Sequence, residues 1–192
     1  MATRDNLKKR KIAVLGSRSV GKSSMILQFI ENHFMESYYP TIESTFVKTV
    51  NYKGTEYDCE VIDTAGQDEY SLLGPKHAIG IHGYVLVYSV TSRKSFDMIQ
   101  IVYDKLIDFC GVTDIPCVIV GSKTDLSSSR QVDPSEGERL AQTNKAAWVE
   151  TSAKANVNVG EVFQLCLAEI EKRAPSSQPE VPARPGRICR IM

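Results

Sequence analysis

Apolar positions along this chain follow two alternating rhythms. Short continuous apolar runs mark strands buried on both faces, and apolar residues spaced three and four apart mark helices with one buried side. Lys11–Leu15 is the first strand run, and 24–30 reads as the helix after it. Thr45–Asn51 and Tyr57–Ile62 are β-rich and joined by a Lys53-Gly54 turn, so they predict a hairpin. Tyr84–Tyr88 and Cys117–Val120 are further buried strands, and Ala146–Glu150 is a last short one. Between them, 95–110 places Phe96, Ile99, Tyr103, Leu106 and Cys110 at helical spacing. Asp133-Pro134 opens a helix over 135–144, and 159–173 carries Val162, Phe163, Cys166, Leu167 and Ile170 on one face.

Strands and helices in alternation imply an α/β fold with a mostly parallel sheet and helices on both faces. The hairpin supplies one antiparallel edge strand, giving six strands in all. Ligands of such sheets sit beyond the carboxyl ends of the strands. Residues 1–10 read as an N-terminal extension and 11–173 as one folded domain. From residue 174 the chain turns rich in Pro, Ser and Gly with little apolar content, so 174–192 reads as a flexible tail.

Composition changes this picture little. The 192 residues carry no net charge, which gives no general attraction to nucleic acid. No apolar run reaches membrane-spanning length, and the N-terminus lacks an apolar signal core, so a cytosolic protein is expected. Five cysteines are present without C-x-x-C spacing. Cys59, Cys110, Cys117 and Cys166 fall on apolar positions and read as small buried hydrophobes. Cys189, fourth from the end, stands apart.

The chemistry begins at Gly16–Ser23, a G-x-x-x-x-G-K-S run between a strand and a helix. This is a P-loop: its glycines let successive N–H groups converge on a phosphate at a helix N-terminus. At average residue frequencies the pattern arises by chance in about one per cent of chains of this length. Lys22 reaches the β- and γ-phosphates and Ser23 holds Mg²⁺. Asp63-Thr64-Ala65-Gly66-Gln67 follows the hairpin's second strand, where Asp63 is placed to hold Mg²⁺ through water and Gly66 to bring an N–H to a γ-phosphate. Asp125, in Ser122-Lys123-Thr124-Asp125, suits a purine with donors at N1 and N2, which describes guanine rather than adenine. The loop of Thr151, Ser152, Ala153 and Lys154 offers a backbone N–H to guanine O6.

With Pro40-Thr41-Ile42-Glu43, these motifs in this order resemble a Ras-type small GTPase over roughly residues 11–173. Arg18 in the P-loop, the switch run 63–70 and the run 86–92 narrow the resemblance to the Rheb subfamily, in a fungal or other eukaryotic version. The resemblance implies the P-loop G-domain fold and slow hydrolysis of GTP to GDP and phosphate. It implies a nucleotide site built from Arg18, Ser19, Val20, Gly21, Lys22, Ser23, Ser24, Phe34, Met35, Tyr38, Thr41, Gly66, Ser122, Lys123, Asp125, Ser152, Ala153 and Lys154. Mg²⁺ would be held by Ser23, Thr41 and, through water, Asp63. Catalysis would rest on Gln67, Lys22 and Arg18, with switch II running from Gly66 to about Ile79. Tyr38 would fold over the phosphates, Phe34 would pack against the base and Lys123 would lie along its other side.

Two positions depart from the wider family. Arg18 stands where most members have glycine, but the Rheb subfamily shares the arginine. Ser122 stands where the family has asparagine, and loss of one or two buried hydrogen bonds there costs roughly 1–3 kcal/mol. Weaker nucleotide binding and faster exchange are the expectation.

Cys189-Arg190-Ile191-Met192 matches C-a-a-X with a terminal methionine, the type given a farnesyl group by farnesyltransferase. Arg184 and Arg187 would flank the lipid, and one chain with so few cations gives weak, reversible attachment. Endomembranes (lysosome or vacuole, ER or Golgi) fit that strength better than the plasma membrane. The resemblance further implies a monomer whose GTP form activates the TOR complex 1 kinase and meets a tuberin-type GTPase-activating protein. Two other classes stay open at this point. A P-loop kinase or ATPase would need a lid-sized insertion and an adenine site, and a non-hydrolysing nucleotide scaffold would differ in a single-turnover assay.

Overall fold

The computed structural model describes residues 7–36, 41–68 and 79–174 of the chain. Tyr38, Pro40 and residues 69–78 of the expected switch II, together with Cys189 and the tail beyond Ala174, lie outside the described residues.

Six strands form one sheet in the order β2-β3-β1-β4-β5-β6. β1 (Lys8–Leu15), β4 (Gly83–Ser89), β5 (Cys117–Ser122) and β6 (Ala147–Glu150) run parallel, as does β3 (Thr55–Asp63) beside β1. β2 (Ser44–Tyr52) is antiparallel to β3 at the edge, as the hairpin pattern predicts. Lys53 and Gly54 both take positive φ, 51° and 78°, the conformation a two-residue hairpin turn demands. β4 is buried at all seven positions, which explains why its sequence is apolar without alternation.

Helices α1 (Lys22–Glu31) and α4 (Val159–Arg173) cover one face, packing Met25, Ile26, Phe163 and Leu167 on Ile12, Val14 and Val85. Helices α2 (Arg93–Cys110) and α3 (Pro134–Thr143) cover the other, over Leu15, Leu86, Tyr88 and Ile119. Asp133 and Glu136 form the capping box that starts α3 one residue earlier than expected, at Pro134. Cys59, Cys117 and Cys166 are buried and Cys110 half-buried; these four are free thiols.

The structure departs from the sequence pattern elsewhere as well. β1 starts at Lys8 rather than Lys11, because Lys8, Lys9 and Arg10 pair with Tyr57, Asp58 and Cys59 of β3. Arg10 also bonds Glu171 of α4, so part of the expected extension belongs to the sheet. α1 starts at Lys22, since the P-loop runs straight into the helix. A 3₁₀ helix over Thr124–Ser129 has no counterpart in the sequence reading, being too short and too rich in serine for periodicity to show.

Candidate functional site

At the carboxyl ends of the strands lies a cavity of about 870 Å³. Its floor is the turn between β1 and α1. Gly16 has φ 146°, and a Cβ there would sit 2.1 Å from the Val87 carbonyl oxygen, so only glycine lets β1 turn against β4. Gly21, at φ 99°, caps α1 and leaves the first N–H groups of that helix facing the cavity. Lys22 is 6% exposed, and its Nζ donates to the carbonyls of Gly16 and Ser17 at 3.0 and 2.9 Å. Burial lowers its pKa to about 8, against the opposing pull of Asp63. A partly desolvated ammonium at the mouth of an N–H cradle is a phosphate-seeking group.

Beside it, Asp63 ends β3, and burial raises its carboxyl pKa against the Ser23 hydrogen bond and the Lys22 charge. Its Oδ1 is buried without a hydrogen-bond partner. The Ser23 and Thr41 hydroxyls are 2.7 Å apart. An orphaned carboxylate oxygen next to paired hydroxyls is the donor set of a hard divalent cation. Gly66 lies tight against the P-loop: a Cβ there would meet Arg18 Cγ at 2.4 Å and Arg18 Cα at 2.5 Å. Gln67 N donates to the Gly16 carbonyl at 2.9 Å, while its side-chain Nε2 donates to the Ala65 carbonyl at 3.0 Å. One of the two amide protons is thereby held by its own loop, and Gln67 does not line the cavity. Arg18 points outward, its side chain 75% exposed and 4.0 Å from Asp68.

The opposite end of the cavity is built by the loops after β5 and β6. Lys123 takes a left-handed φ of 66°, and its Nζ donates to the Ser19 carbonyl at 2.7 Å, laying its stem across the cavity wall. Asp125 accepts from Ser152 Oγ at 2.6 Å, and Ser152 Oγ in turn accepts from Ala155 N. Ser122 Oγ lies 2.5 Å from the Val20 carbonyl and 2.8 Å from that of Tyr88. Lys154 reaches Glu36 at 3.5 Å, bridging this loop to the segment after α1.

Of the residues singled out from sequence, Arg18, Ser19, Gly21, Lys22, Ser23 and Ser24 line the cavity from the P-loop. Phe34, Met35 and Thr41 line it from the side, with Asp63 and Gly66 below and Ser122, Lys123, Asp125, Ala153 and Lys154 at the far end. Val20 and Ser152 are buried behind the wall, at 2% and 1% exposure, and act through Val20's carbonyl and Ser152's hydroxyl. Thr151 and Ile42, which the motifs include, also line the cavity, as do Leu126 and Phe46, which carried no sequence assignment. The β5–β6 register pairs Gly121 with Glu150, so Thr151 follows directly beside Ser122. Its Oγ1 is buried without a partner.

The Ras family model matches residues 11–172. The chain is 58% identical over 173 residues to GTP-binding protein rhb1 of Schizosaccharomyces pombe, covering 90% of this chain and 94% of that protein. It is 53% identical to the small monomeric GTPase RhbA of Aspergillus fumigatus, over 90% of this chain and 92% of that one. Against GTP-binding protein Rheb of Homo sapiens the identity is 50%, over 86% and 90%.

Proposed function

The chain belongs to the Ras family, in its Rheb branch, and on that premise we propose that it is a slow GTP/GDP switch serving growth signalling at membranes. Members of this family are GTP hydrolases, and this chain is one: GTP and water give GDP and phosphate. The observation that carries the site assignment is the pairing of ends in one cavity. Buried Lys22 and the α1 N-terminus lie at one end, where a polyphosphate would sit, and Lys123 and Asp125 lie at the other, where guanine would sit.

In this reading the P-loop N–H groups and Lys22 hold the β- and γ-phosphates. Ser23 and Thr41, with Asp63 through water, would hold Mg²⁺, which supplies charge neutralisation on the phosphate oxygens. The orphaned Asp63 oxygen supports that donor set. Thr41 ties the segment before β2 to the nucleotide, and loss of the γ-phosphate frees it. Phe34 and the Lys123 stem flank the base, while the remaining Asp125 oxygen accepts from guanine.

The position of Gln67 supports the reading of slow hydrolysis. Its Nε2 is held by the Ala65 carbonyl and the residue does not line the cavity, so the side chain would have to move to orient an attacking water. A tuberin-type GTPase-activating protein would then be needed to complete the site. Ile42, next to Thr41, and Val47 of β2, 88% and 62% exposed, offer apolar surface to an effector, proposed to be the TOR complex 1 kinase. Among the described residues no helix is long and apolar enough to cross a membrane. The C-a-a-X end, farnesylated at Cys189, is the proposed anchor to endomembranes.

One experiment tests the core of this. The purified full chain is heat-denatured and the released nucleotide identified by chromatography. GDP or GTP in near-stoichiometric amount is expected; adenine nucleotide, or none with no uptake on reloading, would overturn the guanine assignment.

A further inference from the structure

We infer that Arg130 and Glu150 form a positioning brace that sets the spacing of the two base-reading loops from behind. The inference rests on the guanine-nucleotide reading of the cavity. Neither residue lines that cavity. Both stand at the hinge points of the loops that do. Arg130 follows the 3₁₀ helix Thr124–Ser129 that carries Asp125, and Glu150 is the last residue of β6, immediately before Thr151.

Their contact is a planar fork. Arg130 Nη1 donates to Glu150 Oε1 at 2.6 Å and Nη2 to Oε2 at 2.9 Å, while Nη1 also donates to the Val132 carbonyl at 3.0 Å. Both side chains are about four-fifths shielded from solvent, at 22% and 18% exposure. A bidentate pair fixes orientation as well as distance, which a single lysine contact does not. Screening by salt is weaker here than at an open surface.

The need for a brace comes from the sheet. β6 is an edge strand of four residues, held on one side only by β5. Beyond the last register pair the loops share Thr151 N to Gly121 O at 2.8 Å, Thr124 N to Thr151 O at 3.2 Å, and the Ser152–Asp125 bond. All of these lie at the cavity end. The Arg130–Glu150 fork is the tie at the rear, and a two-point attachment prevents the β6 loop from swinging about the front contacts. Glu150 also packs close on the β5 backbone because Gly121 has no side chain: a Cβ there would lie 3.2 Å from Glu150 Cγ and 2.8 Å from Tyr88 Oη. That close packing sets the fork against the backbone one residue before Ser122.

The test is a double-mutant cycle on the full chain loaded with a fluorescent GDP analogue, reading its release rate, with melting temperature in parallel. Arg130→Met and Glu150→Gln should each speed release about five- to thirty-fold, and the double variant should release no faster than the worse single one. Single-turnover hydrolysis of loaded GTP should stay unchanged, because the phosphate end touches neither residue. Unchanged release with a lowered melting temperature would reduce the pair to a stabiliser of the fold and overturn the inference. Additive effects in the double variant would overturn the pairing. Should the neutral variants fail to fold, Arg130→Lys keeps the charge and loses the fork; release equal to that of the unmodified chain would then overturn the brace. Failure of the unmodified chain to retain GDP overturns the guanine reading itself, a result separable from all of these.

Discussion

Ser122 Oγ stands 2.5 Å from the carbonyl of Val20 and 2.8 Å from that of Tyr88, so a single hydroxyl proton is shared between the P-loop and β4. The tie from the base loop to the P-loop therefore exists in this chain, but it uses the only proton the side chain has. Nothing is left to donate to a base. Ser122→Asn should slow GDP release, because an amide carries two donors and extends farther into the cavity. One further buried hydrogen bond, worth about 1–3 kcal/mol, corresponds to roughly a five- to 150-fold slower release. Stopped-flow release of a fluorescent GDP analogue measures it; an unchanged rate would mean that the hydroxyl tie already suffices.

In the proposed reading Asp125 sets nucleotide choice. One of its oxygens accepts from Ser152, which orients the carboxylate and leaves the other oxygen for the base. Asp125→Asn exchanges an acceptor for a donor, so preference should move from GTP toward xanthine nucleotides. Competition binding of the two triphosphates reads the shift. An Asn variant that still prefers guanine would remove Asp125 from the base contact.

How much of this site could be read from sequence depends on whether a residue acts through its type or through its neighbours. Lys22, Asp63 and Lys123 sit in fixed-spacing motifs after strands, where chemistry dictates the residue, and they line the cavity. The strands are equally legible where burial is complete, as in β4. The charged start of β1 is not, because Lys8, Lys9 and Arg10 belong to the sheet through backbone pairing and a bond to Glu171 that no local pattern encodes. Gln67 illustrates the other limit. Its motif places it beside the P-loop, yet the Ala65 carbonyl captures its amide, a choice made by local geometry among several acceptors. Arg130 and Glu150 lie twenty residues apart in no motif, and only the β5–β6 register brings their loops together.

Lys22 gives the site a pH signature. Its pKa of about 8 in the empty cavity lies below the ordinary 10.5, so above pH 8 the free protein holds it increasingly neutral. A bound polyphosphate favours the charged form, and binding then takes up a proton. The sign follows: affinity for GDP should be level below pH 7, begin to fall near pH 8, and drop by up to about tenfold per pH unit beyond it. The same depression makes the empty protein gain stability as pH rises from 8 toward 10.5, since the unfolded chain binds the extra proton there. Calorimetry at pH 8 in two buffers of different ionisation enthalpy should show uptake of about half a proton. No uptake would mean that Lys22 is already fully charged in the empty site.

Arg18→Gly should raise intrinsic hydrolysis only modestly. Gly66 packs against the Arg18 backbone as well as its side chain, with Cα at 2.5 Å and N at 2.7 Å from a Cβ built on Gly66. Removing the side chain therefore relieves part of the crowding and leaves the Gln67–Ala65 bond in place. Single-turnover release of phosphate measures the outcome. A fall in rate would assign Arg18 a share in stabilising transition-state charge.

Cys189→Ser should separate attachment from nucleotide binding. The last turn of α4 bonds the opposite end of the sheet from the cavity: Glu171 meets Arg10 and Lys8 at the start of β1, and Arg173 meets the Lys145 carbonyl and Asp114. A tail leaving from Ala174 thus starts away from the strand ends that form the site. Serine cannot take a thioether-linked lipid, and Arg184 and Arg187 contribute only about 1 kcal/mol each near an anionic surface, too little to hold the chain there. In cell fractionation the variant should move to the soluble fraction with its bound guanine nucleotide unchanged. Signalling should fall, because attachment raises the local concentration of the switch beside a membrane-recruited partner. Retention on membranes would point to a second anchor, and loss of nucleotide would place the tail within the folded domain.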